Sequence, residues 1–117
     1  MPETRVISLK GRLHEFGPSL EHAPADLLYV GRINKRGKNR GGWNLEQSRF
    51  ANPFSVKQYG VAGSLREYRQ FLRDVPDLVA EIRKHAGGIF ACWCGNDAGP
   101  DECHAGLLAF VADGGEP

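Results

Sequence analysis

The segment from residue 88 to residue 111 constrains the fold most, because it reads as strand, loop and helix and holds all three cysteines. Residues 89–94 are almost continuously apolar and are bounded by glycine-rich turns, which is typical of a short strand covered on both faces. Side chains alternate between the two faces of a strand. We therefore expect Cys92 and Cys94 on one face of the sheet and Trp93 on the other.

The strand is followed by a predicted loop and a predicted helix. Residues 95–101 are rich in Gly, Asn, Asp and Pro, and an apolar stripe then predicts a helix at 102–112. Asp101 is the expected N-cap, which puts Cys103 and His104 in the first turn. The free N–H groups of a helix start favour anions and lower thiol pKa values, so we expect the Cys103 N–H to contribute to an anion site.

Three interpretations of the cysteines and His104 remain open at this point. They are buried packing residues, a zinc site, or a ligand or reaction site in which Cys94, Cys103 or His104 acts as the reactive group. Against zinc, C-x-C is not the usual spacing, and Cys103 and His104 point about 100° apart on a helix. Three cysteines also leave one over. We predict no bound zinc, no other cofactor and no disulfide.

A second unusual segment lies between residues 31 and 52. Six basic residues there stand against one acid, and glycines and aromatic residues are interleaved. The segment predicts either a solvated loop or a loop that binds phosphate or nucleic acid, with Trp43 stacking on a base. The predicted ligand-binding residues are Gly31, Arg32, Lys35, Arg36, Trp43 and Asn52, of which Asn52 either presents its amide to a ligand or anchors the end of the loop.

Four motifs resemble an uncharacterised family known as domain of unknown function 4326, common in bacteria and bacteriophages. They are Tyr29-Val30-Gly31-Arg32, Asn52-Pro53-Phe54, the helical stretch 67–72, and Ala91-Cys92-Trp93-Cys94 with Cys103-His104. The resemblance covers roughly residues 4–111 but implies no activity, because the family has no established one. Its motif layout is similar to that of small Rossmann-like domains. Here the loop 95–102 is longer than the family's usual spacer.

Length and composition are those of one ordinary globular domain. The chain has 117 residues, 41% hydrophobic and 25% charged residues, and a net charge of +1, so bulk charge does not indicate a polyanion binder. It has no apolar run long enough for a membrane helix and no secretory leader, so we expect a cytoplasmic protein with no membrane partner. We expect an ordered core at about 4–111, a mobile basic loop at about 33–49 and a frayed tail at 112–117.

The element pattern predicts the α/β class, as a small Rossmann-like three-layer domain with a short, mainly parallel sheet. Residues 11–24 are expected to form a loop, and Ser64 is the expected N-cap of the first long helix, with Glu67 completing a capping box. The last helix should pack on one face of the sheet and the other two on the opposite face. The predicted strands are 4–9, 26–30 and 88–94, and the predicted helices are 64–75, 77–86 and 102–112.

Parallel crossovers should bring the ends of strands two and three to one edge, which would unite the basic loop with the Cys-His segment. We therefore expect a nucleotide- or nucleic-acid-related ligand domain, either a binding domain or an enzyme acting on a phosphorylated or base-containing substrate. Arg32 and Lys35 would hold phosphate, and Cys94 or His104 would be the reactive or polar contact. The alternatives are a structural zinc domain and a module that grips nucleic acid with the basic loop.

Overall fold

The computed structural model describes residues 3–35 and 37–117 and has a three-stranded parallel sheet with helices against it, which confirms the α/β prediction. The strands are β1 (Arg5–Ser8), β2 (Leu27–Tyr29) and β3 (Ile89–Cys92). The helices are α1 (Leu13–Phe16), α2 (Val56–Asp74), α3 (Pro76–Arg83) and α4 (His104–Ala112), with a short 3₁₀ turn at Lys38–Arg40.

The most apolar strand, β3, lies in the centre of the sheet. The strand order is β1-β3-β2, and β3 pairs in parallel with both neighbours, with Ala91 opposite Ile7 and Tyr29. A central strand is covered on both faces, which explains its continuous apolar run. Because β2 and β3 are parallel neighbours, Gly31 and Cys94 follow them at the same edge, as predicted.

One face of the sheet carries all three longer helices. Val6, Phe90 and Cys92 join a core formed with side chains of α2, α3 and α4, and these helices also contact one another. The prediction that the last helix and the middle pair lie on opposite faces is therefore wrong. The spacing of apolar residues shows that a helix has a buried side, but not which face of the sheet that side covers.

The other face is covered by α1 and by the segment that follows β2. Ile7, Leu9 and Ala91 pack there against Phe16 of α1 and Leu45. Because α1 falls within residues 11–24, the prediction of a loop throughout that range is wrong. A helix of four residues is too short to show a periodic pattern, and its order here comes from burial of Phe16.

Two predicted helix starts are also wrong. The N-cap of α2 is Ser55, and Ser64 lies inside the helix, after a kink at Gly60, where φ is 73°. The N-cap of α4 is Cys103, whereas Asp101 instead forms an ion pair with Arg69 at 3.2 Å. A Ser or an Asp near a predicted helix start is not always a cap, because its side chain can bond to other groups instead. The Ser64 hydroxyl bonds to Asn52 and to the Phe54 carbonyl.

The chain end returns to the body of the domain. The Pro117 carbonyl accepts a hydrogen bond from Arg73 Nε at 2.8 Å, and the Gly115 carbonyl accepts one from Arg83 Nη2 at 3.2 Å. Within the described parts of the chain, no helix combines the length and the apolar character needed to cross a bilayer. The expected mobility of the basic loop and of the tail stays a prediction.

Candidate functional site

A cavity of about 270 Å³ opens at the edge of the sheet where β2 and β3 end. Three separate parts of the chain contribute to it, namely the end of β2, the turn before α2, and the strand-loop-helix segment after β3. Five of its lining residues are among those predicted from the sequence: Gly31, Arg32, Asn52, Cys94 and His104. Three were missed: Phe54, Val56 and Trp93. The sequence predicts Trp93 only as a residue on the face opposite to Cys92 and Cys94, and apolar side chains such as Phe54 and Val56 carry no local signal of a ligand site.

Arg32 is held at the cavity by the backbone of the opposite wall. Its Nε and Nη2 donate hydrogen bonds to the Asn52 carbonyl oxygen at 3.1 and 2.9 Å, and the residue as a whole is exposed. A guanidinium has five N–H donors, so two bonds orient the group and leave three donors for other partners. Arg32 is therefore a positioned cation at the rim.

The turn that carries Asn52 is fixed from inside the protein. Asn52 Nδ2 donates to Ser64 Oγ at 2.8 Å, and Asn52 Oδ1 accepts from the Phe54 N–H at 2.9 Å. Ser64 Oγ in turn donates to the Phe54 carbonyl at 2.5 Å. The Asn52 amide is thus engaged within the protein at both ends, and its contribution to the cavity is to place its own carbonyl and the Phe54 ring.

His104 is the first residue of α4 and is half-buried at the cavity. Its Nε2 lies 2.8 Å from the Val30 carbonyl oxygen. A carbonyl can only accept, so Nε2 carries the hydrogen and Nδ1 is the nitrogen left for another partner. Burial lowers the pKa of His104, the hydrogen bond to Val30 raises it, and the positive charge of Arg32 lowers it further.

The tryptophan that lines the cavity is Trp93 rather than Trp43. The Trp93 Nε1 donates to Tyr29 Oη at 2.9 Å, which fixes the indole. Trp43 is half-buried behind it, with ring centroids 5.3 Å apart and planes at 80°. The predicted stacking residue therefore packs within the protein. Gly31 has no room for a side chain, because a Cβ there would lie 2.5–2.8 Å from the Tyr29 ring and hydroxyl.

The structure does not bring Lys35, another predicted phosphate ligand, to the cavity. Lys35 forms an ion pair with Glu46, beside the antiparallel bridge between Asn34 and Leu45 that shapes this segment. Lys35 is absent from the cavity lining. Arg36, which was predicted to bind phosphate, lies outside the described residues.

The three cysteines form one cluster beside the cavity. The structure joins Cys94 and Cys103 in a disulfide with their Cα atoms 6.4 Å apart, so the prediction of no disulfide is wrong. The intervening loop folds back over β1, where the Ser8 N–H donates to Asn96 Oδ1 at 2.9 Å, and this returns Cys103 to Cys94. The spacing of the cysteines does not reveal such a return. Cys92 is free and buried.

Only one of the two predicted catalytic thiols is at the surface. Cys94 is exposed, whereas Cys103 is 3% exposed and its N–H donates to the Gly99 carbonyl at 3.3 Å. The expected contribution of the Cys103 N–H to an anion site is therefore wrong. Burial raises the pKa of Cys92, while hydrogen bonds from the Cys94 and Trp93 N–H groups lower it.

Comparison with known proteins gives a family match and one partial relative. The model of the family described as Domain of unknown function (DUF4326) matches residues 19–114. Over 68 residues the chain is 38% identical to Uncharacterized protein R718 of Acanthamoeba polyphaga mimivirus. The matched region is 57% of this chain and 48% of that protein. The chain thus spans about half the length of this curated relative. No solved structure matches the chain.

Proposed function

We propose a function from the geometry of the cavity alone. The chain belongs to the family described as Domain of unknown function (DUF4326), and this membership by itself implies no activity. We propose that the cavity binds a phosphorylated small molecule of the nucleotide type. One observation carries the proposal: residues chosen from three separate motifs line a single cavity at the carboxyl edge of a parallel sheet. Ligands of open α/β sheets bind in this place, so a Rossmann-like domain is part of the proposal.

Arg32 and the start of α4 supply the expected phosphate contacts. Arg32 is already held by the Asn52 carbonyl, so little side-chain freedom is lost when it binds a ligand. His104 begins a helix of nine residues, whose first N–H groups favour an anion. His104 Nδ1 and the Trp93 indole would then contact the sugar or base.

The size of the cavity favours a small ligand. Its volume of about 270 Å³ is close to the lower end of the range for small-molecule sites, which is about 300 Å³. A nucleic acid strand is less well supported, since Trp43 packs behind Trp93 and Lys35 pairs with Glu46. The proposal is limited to binding, because Cys94 and Cys103 are joined to each other. A cytoplasmic location is also part of the proposal; because disulfides in that compartment are usually transient or redox-sensing, the Cys94–Cys103 bond would form there only transiently.

The proposal is tested by calorimetric titration at low salt. The ligands are nucleoside monophosphates, ribose 5-phosphate, nucleosides without phosphate and short oligonucleotides. We expect Arg32→Gln to weaken binding of a nucleoside monophosphate about ten- to a hundredfold, which corresponds to about 1.5–3 kcal/mol for a charge-assisted bond. Arg40→Gln is the matched control, since Arg40 is an exposed arginine of the same segment that does not line the cavity.

A double-mutant cycle tests whether Arg32 and His104 hold the same ligand. Residues that grip one ligand together should show a coupling of at least about 0.5 kcal/mol between Arg32→Gln and His104→Ala, whereas separate surfaces give additive effects. The proposal fails if the wild-type chain binds none of the phosphorylated ligands. It also fails if Arg40→Gln weakens binding as much as Arg32→Gln, which would indicate attraction by general surface charge.

A further inference from the structure

The thiols of the three cysteines lie close enough together to bind one ion. All three Sγ atoms are within 4.8 Å of one another, and Cys92 Sγ is 3.5 Å from Cys103 Sγ. Cys92 ends β3, Cys94 lies in the bend two residues later, and Cys103 approaches them as the N-cap of α4. Tetrahedral zinc thiolates, with Zn–S bonds of about 2.3 Å, have sulfurs about 3.8 Å apart. The spacing of the cluster is therefore near that of a zinc site.

This set differs from the one that the sequence disfavours. Cys103 and His104 are neighbours on a helix and point too far apart to bind one zinc ion together. In the structure the His104 Nε2 is directed to the Val30 carbonyl instead. The set therefore keeps the three cysteines and leaves out His104. The C-x-C spacing also suits this set, because Cys94 follows two residues after the end of β3 and its Sγ lies within 4.8 Å of the other two sulfurs.

We infer that the reduced chain binds one Zn²⁺ through the thiolates of Cys92, Cys94 and Cys103, with a fourth coordination position that faces the cavity. Cys92 and Cys103 are buried at 1% and 3% exposure, and Cys94 is exposed and lines the cavity. An ion held by the three sulfurs is therefore reached from the cavity side. Three protein ligands with one open position are typical of zinc sites that bind water or a substrate.

The backbone around the cluster is arranged to support thiolate ligands. The Cys94 N–H donates to Cys92 Sγ at 3.4 Å, and such bonds to a metal-binding sulfur orient the ligand. The loop between Cys94 and Cys103 is anchored on β1, since the Asp97 N–H donates to the Val6 carbonyl at 2.8 Å. The fold of β3, α4 and this loop thus keeps the three sulfurs close together, and the Cys94–Cys103 bond is not needed for it.

The disulfide and the metal site exclude each other. A disulfide sulfur carries no ligand charge, so zinc requires the Cys94–Cys103 bond to be reduced by two electrons. A phosphine reductant supplies them: one phosphine and one water convert the disulfide to two thiols and a phosphine oxide. In the reverse direction, one molecule of hydrogen peroxide and two thiols give the disulfide and two waters. Oxidation therefore releases the ion.

The test uses the full chain, reduced with a phosphine and dialysed against a weak chelator without oxygen. Cobalt(II) is added first, because its absorption reports thiolate ligands and tetrahedral geometry, and zinc is then used to displace it. We expect one ion per chain, with thiolate-to-cobalt bands that disappear as zinc is added. Treatment with hydrogen peroxide should release the zinc and restore the disulfide, as counted by free thiols.

Single substitutions separate this site from the alternatives. Because Cys94 is exposed, Cys94→Ser should fold as wild type does and weaken cobalt binding at least about a hundredfold, as should Cys92→Ala. His104→Asn should keep the thiolate bands, although the same change would affect the proposed ligand site. The inference is wrong if the reduced, folded wild type takes up no cobalt or zinc. Unchanged affinity in Cys94→Ser or in Cys92→Ala would also overturn it.

Discussion

Removal of the Ser64 hydroxyl should destabilise the wall that positions the candidate site. Ser64 is 0% exposed, and its Oγ accepts from Asn52 Nδ2 and donates to the Phe54 carbonyl. In Ser64→Ala both partners lose a bond, the Asn52 amide in a buried contact and the Phe54 carbonyl in a partly buried one. An unsatisfied buried polar group costs about 1–3 kcal/mol, so we expect the free energy of unfolding to fall by about 2–4 kcal/mol.

Urea unfolding followed by circular dichroism measures this change. The matched control is Ser55→Ala, because Ser55 is the N-cap of α2 but makes no side-chain capping bond, and we expect a change within about 0.5 kcal/mol. Asn52→Ala combined with Ser64→Ala should cost less than the sum of the single changes, since both remove the same hydrogen bond. A loss of less than about 0.5 kcal/mol in Ser64→Ala would refute this account of the wall.

Two further changes test the packing around the site. In Gly106→Ala the new Cβ would collide with the carbonyl oxygens of Ala98 and Gly99, so we expect a loss of about 1–3 kcal/mol in urea unfolding. Gly95→Ala is the control, because a Cβ at Gly95 would meet open space and Gly95 has no positive φ. We expect this change to be neutral or slightly stabilising. Equal effects at the two glycines would contradict the close approach of loop and helix. Tyr68→Phe should lower the free energy of unfolding by about 1–3 kcal/mol, because the fully buried Tyr68 hydroxyl donates to the Phe50 carbonyl at 2.6 Å. A thermal midpoint equal to that of wild type would argue against this bond.

Much of the candidate site could be predicted from short-range patterns. A parallel sheet brings the ends of neighbouring strands to one edge, and this general rule was enough to place Gly31 and Arg32 beside Cys94 and His104. The roles of individual side chains were predicted less well. Asn52 forms its hydrogen bonds inside the protein. The sequence left this open, because its partner Ser64 lies twelve residues away in a helix and no local pattern links the two.

Basic charge and aromatic character were also incomplete guides to the ligand residues. Lys35 carries the expected charge but forms an ion pair with Glu46, next to the antiparallel bridge between Asn34 and Leu45. This pairing depends on how the long segment folds back on itself. Trp43 and Trp93 have the same side chain, and only their packing decides that Trp93 lies at the cavity and Trp43 behind it. Residue type shows what a side chain can bind, whereas position decides whether a ligand reaches it.

The sequence by itself determined the element types near β3 and α4, the apolar centre of the sheet and the two faces on which Cys92 and Trp93 lie. These follow from local periodicity, because neighbouring residues in a strand or helix have fixed relative directions. Tertiary structure alone decided that all three longer helices share one face and that the loop after Cys94 returns Cys103 to it. Both depend on contacts between segments distant in sequence, which are selected by the packing of the whole core rather than by any local pattern.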